Sequence, residues 1–144
     1  MKETGFARIA VIGGTGLDEL PALASGTPRE VTTRYGTIQV FGCSLGGHPI
    51  WFLPRHGVRH STPPHSIDYR AQVAGLKELS VERIIGICSV GSLSLDLGPG
   101  SFAVLKDFVD LTRQRANTFF DGAGEVVHTD FTRPYCPQIS QMLI

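Results

Sequence analysis

The chain has 144 residues, 42% of them hydrophobic, which suits one domain with a core and excludes a disordered protein. Thirteen Lys and Arg balance thirteen Asp and Glu, so a broad nucleic-acid footprint is not expected and any anion site must be local. The cysteines, Cys43, Cys88 and Cys136, are odd in number and widely spaced, unlike a zinc site or a small disulfide framework, and they fit a reducing cytoplasm.

Residues 1–8 carry no apolar stretch of the leader type, and nowhere does the chain approach the roughly 20 apolar residues of a membrane span. Ile9-Ala10-Val11-Ile12 predicts a buried strand closed by the loop Gly13-Gly14-Thr15-Gly16. That loop could offer backbone N–H groups and the Thr15 hydroxyl to a phosphate, or serve only as a strand-to-helix turn. It is not a dinucleotide fingerprint, since Glu19 stands where the third glycine belongs, and it lacks the Gly-Lys-Ser/Thr of a P-loop.

Thr37–Phe41 and Pro49–Leu53 predict two strands of a hairpin-like pair, with Gly42, Gly46 and Gly47 between them. The segment from Pro54 to His65 then holds three of the five histidines and two arginines, directly after the apolar run Ile50-Trp51-Phe52-Leu53. Arginine is a fork of permanent donors and histidine titrates near neutrality, so this is a candidate oxyanion loop at a strand end. Metal binding by His56, His60 and His65 is disfavoured, because Gly57, Pro63 and Pro64 break helical spacing and no carboxylate lies among them.

From Ser66, a candidate N-cap behind Pro63-Pro64, the period becomes helical, with Ile67, Ala71, Val73, Ala74 and Leu76 near one stripe and an end near Ser80. Arg83 to Ile87 predicts another buried strand, running into the small-residue turn Cys88-Ser89-Val90-Gly91-Ser92, and Phe102–Val109 predicts one more. Cys88 has no basic neighbour in sequence that would mark a nucleophile and reads as a small, half-buried side chain. Gly91–Pro99 and Asp121–Asp130 are long enough to be mobile loops. Pro137 starts a final helix, with Ile139, Met142 and Leu143 on one face, that stops mid-pattern; the expectation is a fragment of a larger domain. Strand, helix and strand in this order predict an α/β fold with ligands at strand ends.

Taken together, Ile12-Gly13-Gly14-Thr15-Gly16-Leu17, Arg55-His56-Gly57 with His60, Ile67-Asp68-Tyr69-Arg70-Ala71, Leu76-Lys77-Glu78, Val90-Gly91-Ser92-Leu93 and Pro99-Gly100 resemble the methylthioadenosine phosphorylase branch of the trimeric purine nucleoside phosphorylases. Asp107-Phe108-Val109-Asp110-Leu111-Thr112 and Thr118-Phe119-Phe120-Asp121-Gly122 continue the match in order along nearly the whole chain. The resemblance implies an α/β fold with a central mixed β-sheet and flanking helices, residues 1–144 being the N-terminal half of a single longer domain.

It further implies phosphorolysis of a purine nucleoside, S-methyl-5'-thioadenosine or S-methyl-5'-thioinosine foremost, in purine and methionine salvage. Inorganic phosphate is then a co-substrate, with no metal or organic cofactor, and the full-length protein is a cytoplasmic homotrimer with no nucleic-acid or membrane partner. Thr15, Arg55, His56, Cys88 and Ser89 would bind phosphate, supported by Gly13, Gly14, Gly16, His60 and Gly91, while the acid that holds the purine lies beyond Ile144. Cys88 stands where members commonly carry Thr or Asn, Asp68 replaces the usual Asn, and Gln72 replaces another. Two rivals are a histidine phosphatase, whose signature also contains Arg-His-Gly, and a truncated, non-catalytic chain that at most binds phosphate or associates with its own kind.

Overall fold

A computed structural model describes residues 8–17, 19–122 and 124–144. Residues 1–7, read above for a leader, and Ala123 of the 121–130 loop lie outside them. The chain divides into two compact units, up to Ser89 and from Val90 onward.

The first unit is built on a five-stranded sheet in the order β2-β3-β4-β1-β5. The strands are β1 (Ile9–Gly13), β2 (Thr27–Thr33), β3 (Gly36–Leu45), β4 (His48–Pro54) and β5 (Arg83–Ile87). β2, β3 and β4 form an antiparallel meander, whereas β1 runs parallel to both β4 and β5, so the sheet is mixed. The predicted hairpin is therefore present, its strands longer than expected.

β4 is buried without a break from Ile50 to Pro54 because it is central and covered on both faces. Alternation sends Trp51 and Leu53 to one face, where they meet Ala10, Ile38, Val40 and helix residues Ala71 and Leu76. Ile50 and Phe52 point to the other face and pack with Val11, Cys43 and Leu23. Leu23 comes from α1 (Pro21–Ala24), one turn that starts on proline.

Sequence pattern missed β2. Its residues are mostly exposed and include Pro28, which an edge strand tolerates and a central one does not. Its pairing with β3 is fixed by the turn at Thr33, whose hydroxyl donates to the Gly36 carbonyl at 2.9 Å and accepts from Tyr35 N–H at 3.1 Å.

The predicted helix is α2 (Tyr69–Glu78), and its cap is Asp68 rather than Ser66. Ser66 belongs to a 3-10 turn, Pro64–Ser66, imposed by the prolines, and Ile67 is extended. The Asp68 carboxylate then accepts from Ala71 N–H at 2.9 Å, satisfying a donor of the first turn. The buried face is Ala71, Gln72, Gly75 and Leu76; Val73, placed on the stripe from sequence, is 43% exposed. The C-terminus closes as a Schellman motif, with Val81 N–H to Leu76 C=O at 3.0 Å and Ser80 N–H to Lys77 C=O at 2.9 Å, Ser80 taking φ of 60° where glycine is usual.

β5 is present but not the buried strand expected. Among the described residues it is an edge, paired only with β1, and Ile84 and Ile87 remain 40% and 38% exposed. In the second unit, the strand expected at Phe102–Val109 does not form: a strand needs a ladder partner, no described residue pairs with this segment, and Phe102 and Val109 are exposed. Its chain is instead shaped by local turns. Asp110 accepts from the Thr112 hydroxyl at 2.6 Å and N–H at 2.8 Å, Asp130 accepts from Thr132 N–H at 2.8 Å, and Phe108 meets Phe131 and Tyr135 edge-on. The final helix, α3 (Pro137–Leu143), starts on Pro137 as predicted and buries no side chain among the described residues.

Candidate functional site

The register of the three parallel strands decides where the chemistry gathers. Gly13 at the end of β1 lies opposite Pro54 of β4 on one side and Ile87 of β5 on the other. The next residues of all three strands, Gly14-Thr15, Arg55-His56 and Cys88-Ser89, therefore leave the sheet at one carboxyl edge, where ligands of open α/β sheets bind.

Arg55 is the hub. Its N–H extends the sheet by donating to the Gly13 carbonyl at 2.8 Å, so the arginine leaves β4 in a fixed direction. Its guanidinium crosses β1 to reach β5, where Nη2 donates to the Ile87 carbonyl at 2.5 Å and Nη1 to Cys88 Sγ at 2.8 Å. It passes so close to Gly14 that a Cβ there would sit 3.1 Å from Nη2 and press on the guanidinium. Arg55 Nε is buried with no hydrogen-bond partner among the described residues. A guanidinium has five N–H donors and this one spends two, so acceptor capacity is wanted at a point that already bears positive charge.

The histidines stand beside it. His56 Nδ1 lies 3.2 Å from the Thr62 carbonyl, which can only accept, so Nδ1 carries the proton and Nε2 is the free ring nitrogen. The ring stacks on His60 at 5.8 Å between centroids, and His60 Nε2 lies 3.1 Å from the Thr15 hydroxyl. Thr15 is thereby tied across the cradle to the arginine loop. Gly57 takes φ of 72°, and Arg59 and His60 follow at 55° and 54°, two consecutive non-glycine residues in left-handed backbone, a local strain the surrounding structure must hold. His65 sits apart, exposed on the Pro64–Ser66 turn.

Gly13, Gly14, Arg55, His56 and His60 line one tight cleft, closed in around the guanidinium so that it is too narrow for a water molecule until Arg55 moves. Thr15 reaches it through His60, and Cys88 through Arg55. Cys88 is exposed rather than half-buried, and the basic neighbour that its sequence context did not show is Arg55, 33 residues away along the chain. Ser89 follows Cys88 at the end of the first unit, Gly16 is an exposed turn residue with φ of 89°, and Gly91 belongs to the second unit. Sequence reasoning missed the Thr62 and Ile87 carbonyls, which no side-chain pattern reveals, and it marked Gln72 only as a departure from the family and gave it no role in the site. Gln72 had a signal: a polar residue beside Ala71 on the stripe that returns at Gly75 and Leu76.

The sequence model of the Phosphorylase superfamily matches residues 8–144. A probable 6-oxopurine nucleoside phosphorylase of Moorella thermoacetica is 45% identical over 139 residues, covering 95% of this chain and 53% of that protein. A probable S-methyl-5'-thioinosine phosphorylase of Methanocaldococcus jannaschii is 47% identical over 135 residues, covering 94% of this chain and 52% of its own length. Among solved structures, a methylthioadenosine phosphorylase from an antarctic soil metagenomic library superposes with a TM-score of 0.87 at 37% identity, over 97% of this chain and 49% of that one. The methylthioadenosine phosphorylase of Schistosoma mansoni in complex with adenine gives 0.83 at 37%, over 94% of this chain and 51% of that one. The chain thus spans about half the length of the curated relatives it matches.

Proposed function

The chain belongs to the phosphorylase superfamily, and from that premise we propose that the Arg55 cradle holds the inorganic phosphate used by the whole protein to cleave a purine nucleoside. The substrate class is S-methyl-5'-thioadenosine, S-methyl-5'-thioinosine or a related purine nucleoside. One observation carries this reading: the guanidinium of Arg55 lies across the ends of β1 and β5 against a glycine loop, with donors to spare.

In this reading Arg55 exchanges part of its hold on the Ile87 carbonyl and Cys88 for phosphate oxygens, and Thr15, the loop N–H groups and the main-chain N–H of His56 add donors. A phosphate oxygen then attacks the anomeric carbon as the bond to the purine nitrogen breaks. The new C–O bond gives the ribose 1-phosphate derivative, and the electron pair leaves with the base, which takes a proton from the acid expected in the remainder of the domain. The transition state has oxocarbenium character, so a fixed dianion beside the anomeric carbon both stabilises the developing charge and is aligned to react. As proposed, the step uses no metal or organic cofactor.

The half-length match favours one further reading of this particular chain: it binds phosphate but does not turn over nucleoside unless joined to the remainder of the domain. We place both units in that one domain, Ser89 beside the phosphate, and the complete protein in the cytoplasm as a homotrimer. Calorimetric titration of phosphate into the chain tests the cradle, and release of free purine, measured with and without a C-terminal extension to the relatives' length, tests the reaction. Binding lost in Arg55→Met supports the reading; equal binding by that variant sinks it, and brisk turnover by the 144-residue chain refutes its dependence on the extension.

A further inference from the structure

Gln72 is the buried polar side chain among the described residues, 8% exposed on the face of α2 that otherwise presents Ala71, Gly75 and Leu76 to the sheet. A polar group in that position needs a partner, and its Nε2 donates to the main-chain carbonyl of Arg55 at 2.9 Å. The Arg55 main chain is thus held at both ends, its N–H by Gly13 of β1 and its C=O by Gln72 of α2.

The peptide unit is planar and trans, so aiming the Arg55 carbonyl at α2 aims the His56 N–H the opposite way and fixes the torsions from which both side chains start. The helix that applies this constraint is itself anchored. Asp68 caps it, and Gly75 lets it approach so close that a Cβ there would lie 2.4 Å from Ile38 Cδ1.

We propose that Gln72 is a positioning residue for the phosphate cradle, a strut from α2 that sets the Arg55–His56 peptide and with it the direction of the arginine. It touches no ligand. The inference rests on the phosphate reading above and names the residue on which that site's geometry depends.

The test uses the 144-residue chain, inorganic phosphate and two readouts, binding by calorimetry and melting temperature. Gln72→Met keeps much of the volume and removes the donor; Gln72→Glu keeps the shape and sets a carboxylate against the carbonyl. Leu76→Ala, one turn along the same buried face, is the control that weakens packing without touching the loop. Phosphate affinity should fall about five- to tenfold in Gln72→Met, the effect of one lost buried hydrogen bond. It should fall at least as far in Gln72→Glu and stay within about twofold in Leu76→Ala, although that variant melts lowest. Wild-type affinity in Gln72→Met overturns the strut. Equal weakening in Gln72→Met and Leu76→Ala also overturns it, since the effect would then be general loosening. A wild-type chain that binds no phosphate overturns the phosphate reading and this inference together.

Discussion

Neighbouring glycines at the end of β1 should fail in different ways when each is given a methyl group. A Cβ on Gly13 would lie 2.7 Å from Phe52 Cε2 and 3.0 Å from Leu17 Cδ1. Phe52 is 2% exposed within the cluster of Val11, Leu23, Cys43 and Ile50 and meets open space only on the side where it lines a cavity with Leu23, Phe41 and Val58, so its ring can give way only by leaving that packing. Overpacking of this kind costs about 1–3 kcal/mol, and for a chain of this size that lowers the melting temperature by roughly 3–10 °C. A Cβ on Gly14 would instead meet Arg55 Nη2 at 3.1 Å, the far end of a flexible side chain. Gly14→Ala should therefore melt within about 2 °C of wild type while weakening phosphate binding about three- to tenfold, because the guanidinium is displaced from the cradle. Melting curves and phosphate titrations on both variants give four numbers. The reasoning fails if Gly13→Ala melts like wild type, or if Gly14→Ala destabilises the fold and leaves binding intact.

Replacing Arg55 by Lys keeps the charge but loses the fork that reaches Ile87 and Cys88, and phosphate affinity should drop about 10- to 100-fold by calorimetry. Asp68→Ala removes the cap of α2 and should cost about 1 kcal/mol in urea unfolding, whereas Asp68→Asn, also a good cap, should stay within about 0.3 kcal/mol. Ser80→Gly relieves the left-handed residue at the helix end and should stabilise by about 0.5–1 kcal/mol; a neutral or destabilising result would contradict the assigned φ. Burial pushes the Cys43 thiol above its ordinary value of 9.0. The folded state therefore holds that proton longer than the unfolded one, and the contribution is present below pH 9.0 and lost as pH rises above it. Wild type should lose more stability than Cys43→Ala between pH 8.5 and 10.5, and maleimide should label Cys88 and Cys136 well before Cys43 in the native chain.

What could be read from sequence followed the strength of the local signal. The run Ile50–Leu53 is apolar without alternation and so announces a strand buried on both faces, and the prolines at 63 and 64 announce the change to helix. β2 was illegible because an exposed edge strand carries no apolar pattern, its pairing being dictated by β3 and by a turn held through one threonine hydroxyl. Phe102–Val109 shows the converse, a segment with strand composition and no ladder partner among the described residues, since ladder formation depends on a neighbouring edge as much as on propensity. Within the candidate site, residue types with unusual chemistry stood out, and Arg55, His56 and Thr15 were legible. The Ile87 and Thr62 carbonyls were not, because every residue has one and only register decides which is used.

Register also explains why the cradle proposed for phosphate can be built within the first 89 residues. A parallel triplet needs a single alignment, Gly13 opposite both Pro54 and Ile87, to bring three loops from distant parts of the chain to one edge. A slip of one residue in β4 would turn Trp51 and Leu53 from the α2 face to the α1 face, so the core and the site enforce the same alignment. Arg55 then adds a lateral tie across β1 to the edge strand β5, which among the described residues pairs with β1 alone. The arginine that would bind the anion is therefore also the clasp on that strand's end. When phosphate draws the guanidinium from the Ile87 carbonyl, the exposed end of β5 and the turn that follows it should loosen, which amide exchange at Ile87 and Cys88 with and without phosphate would register. Unchanged exchange at those two amides, in a chain that binds phosphate, would mean that Arg55 serves the anion through its remaining donors and keeps its hold on β5.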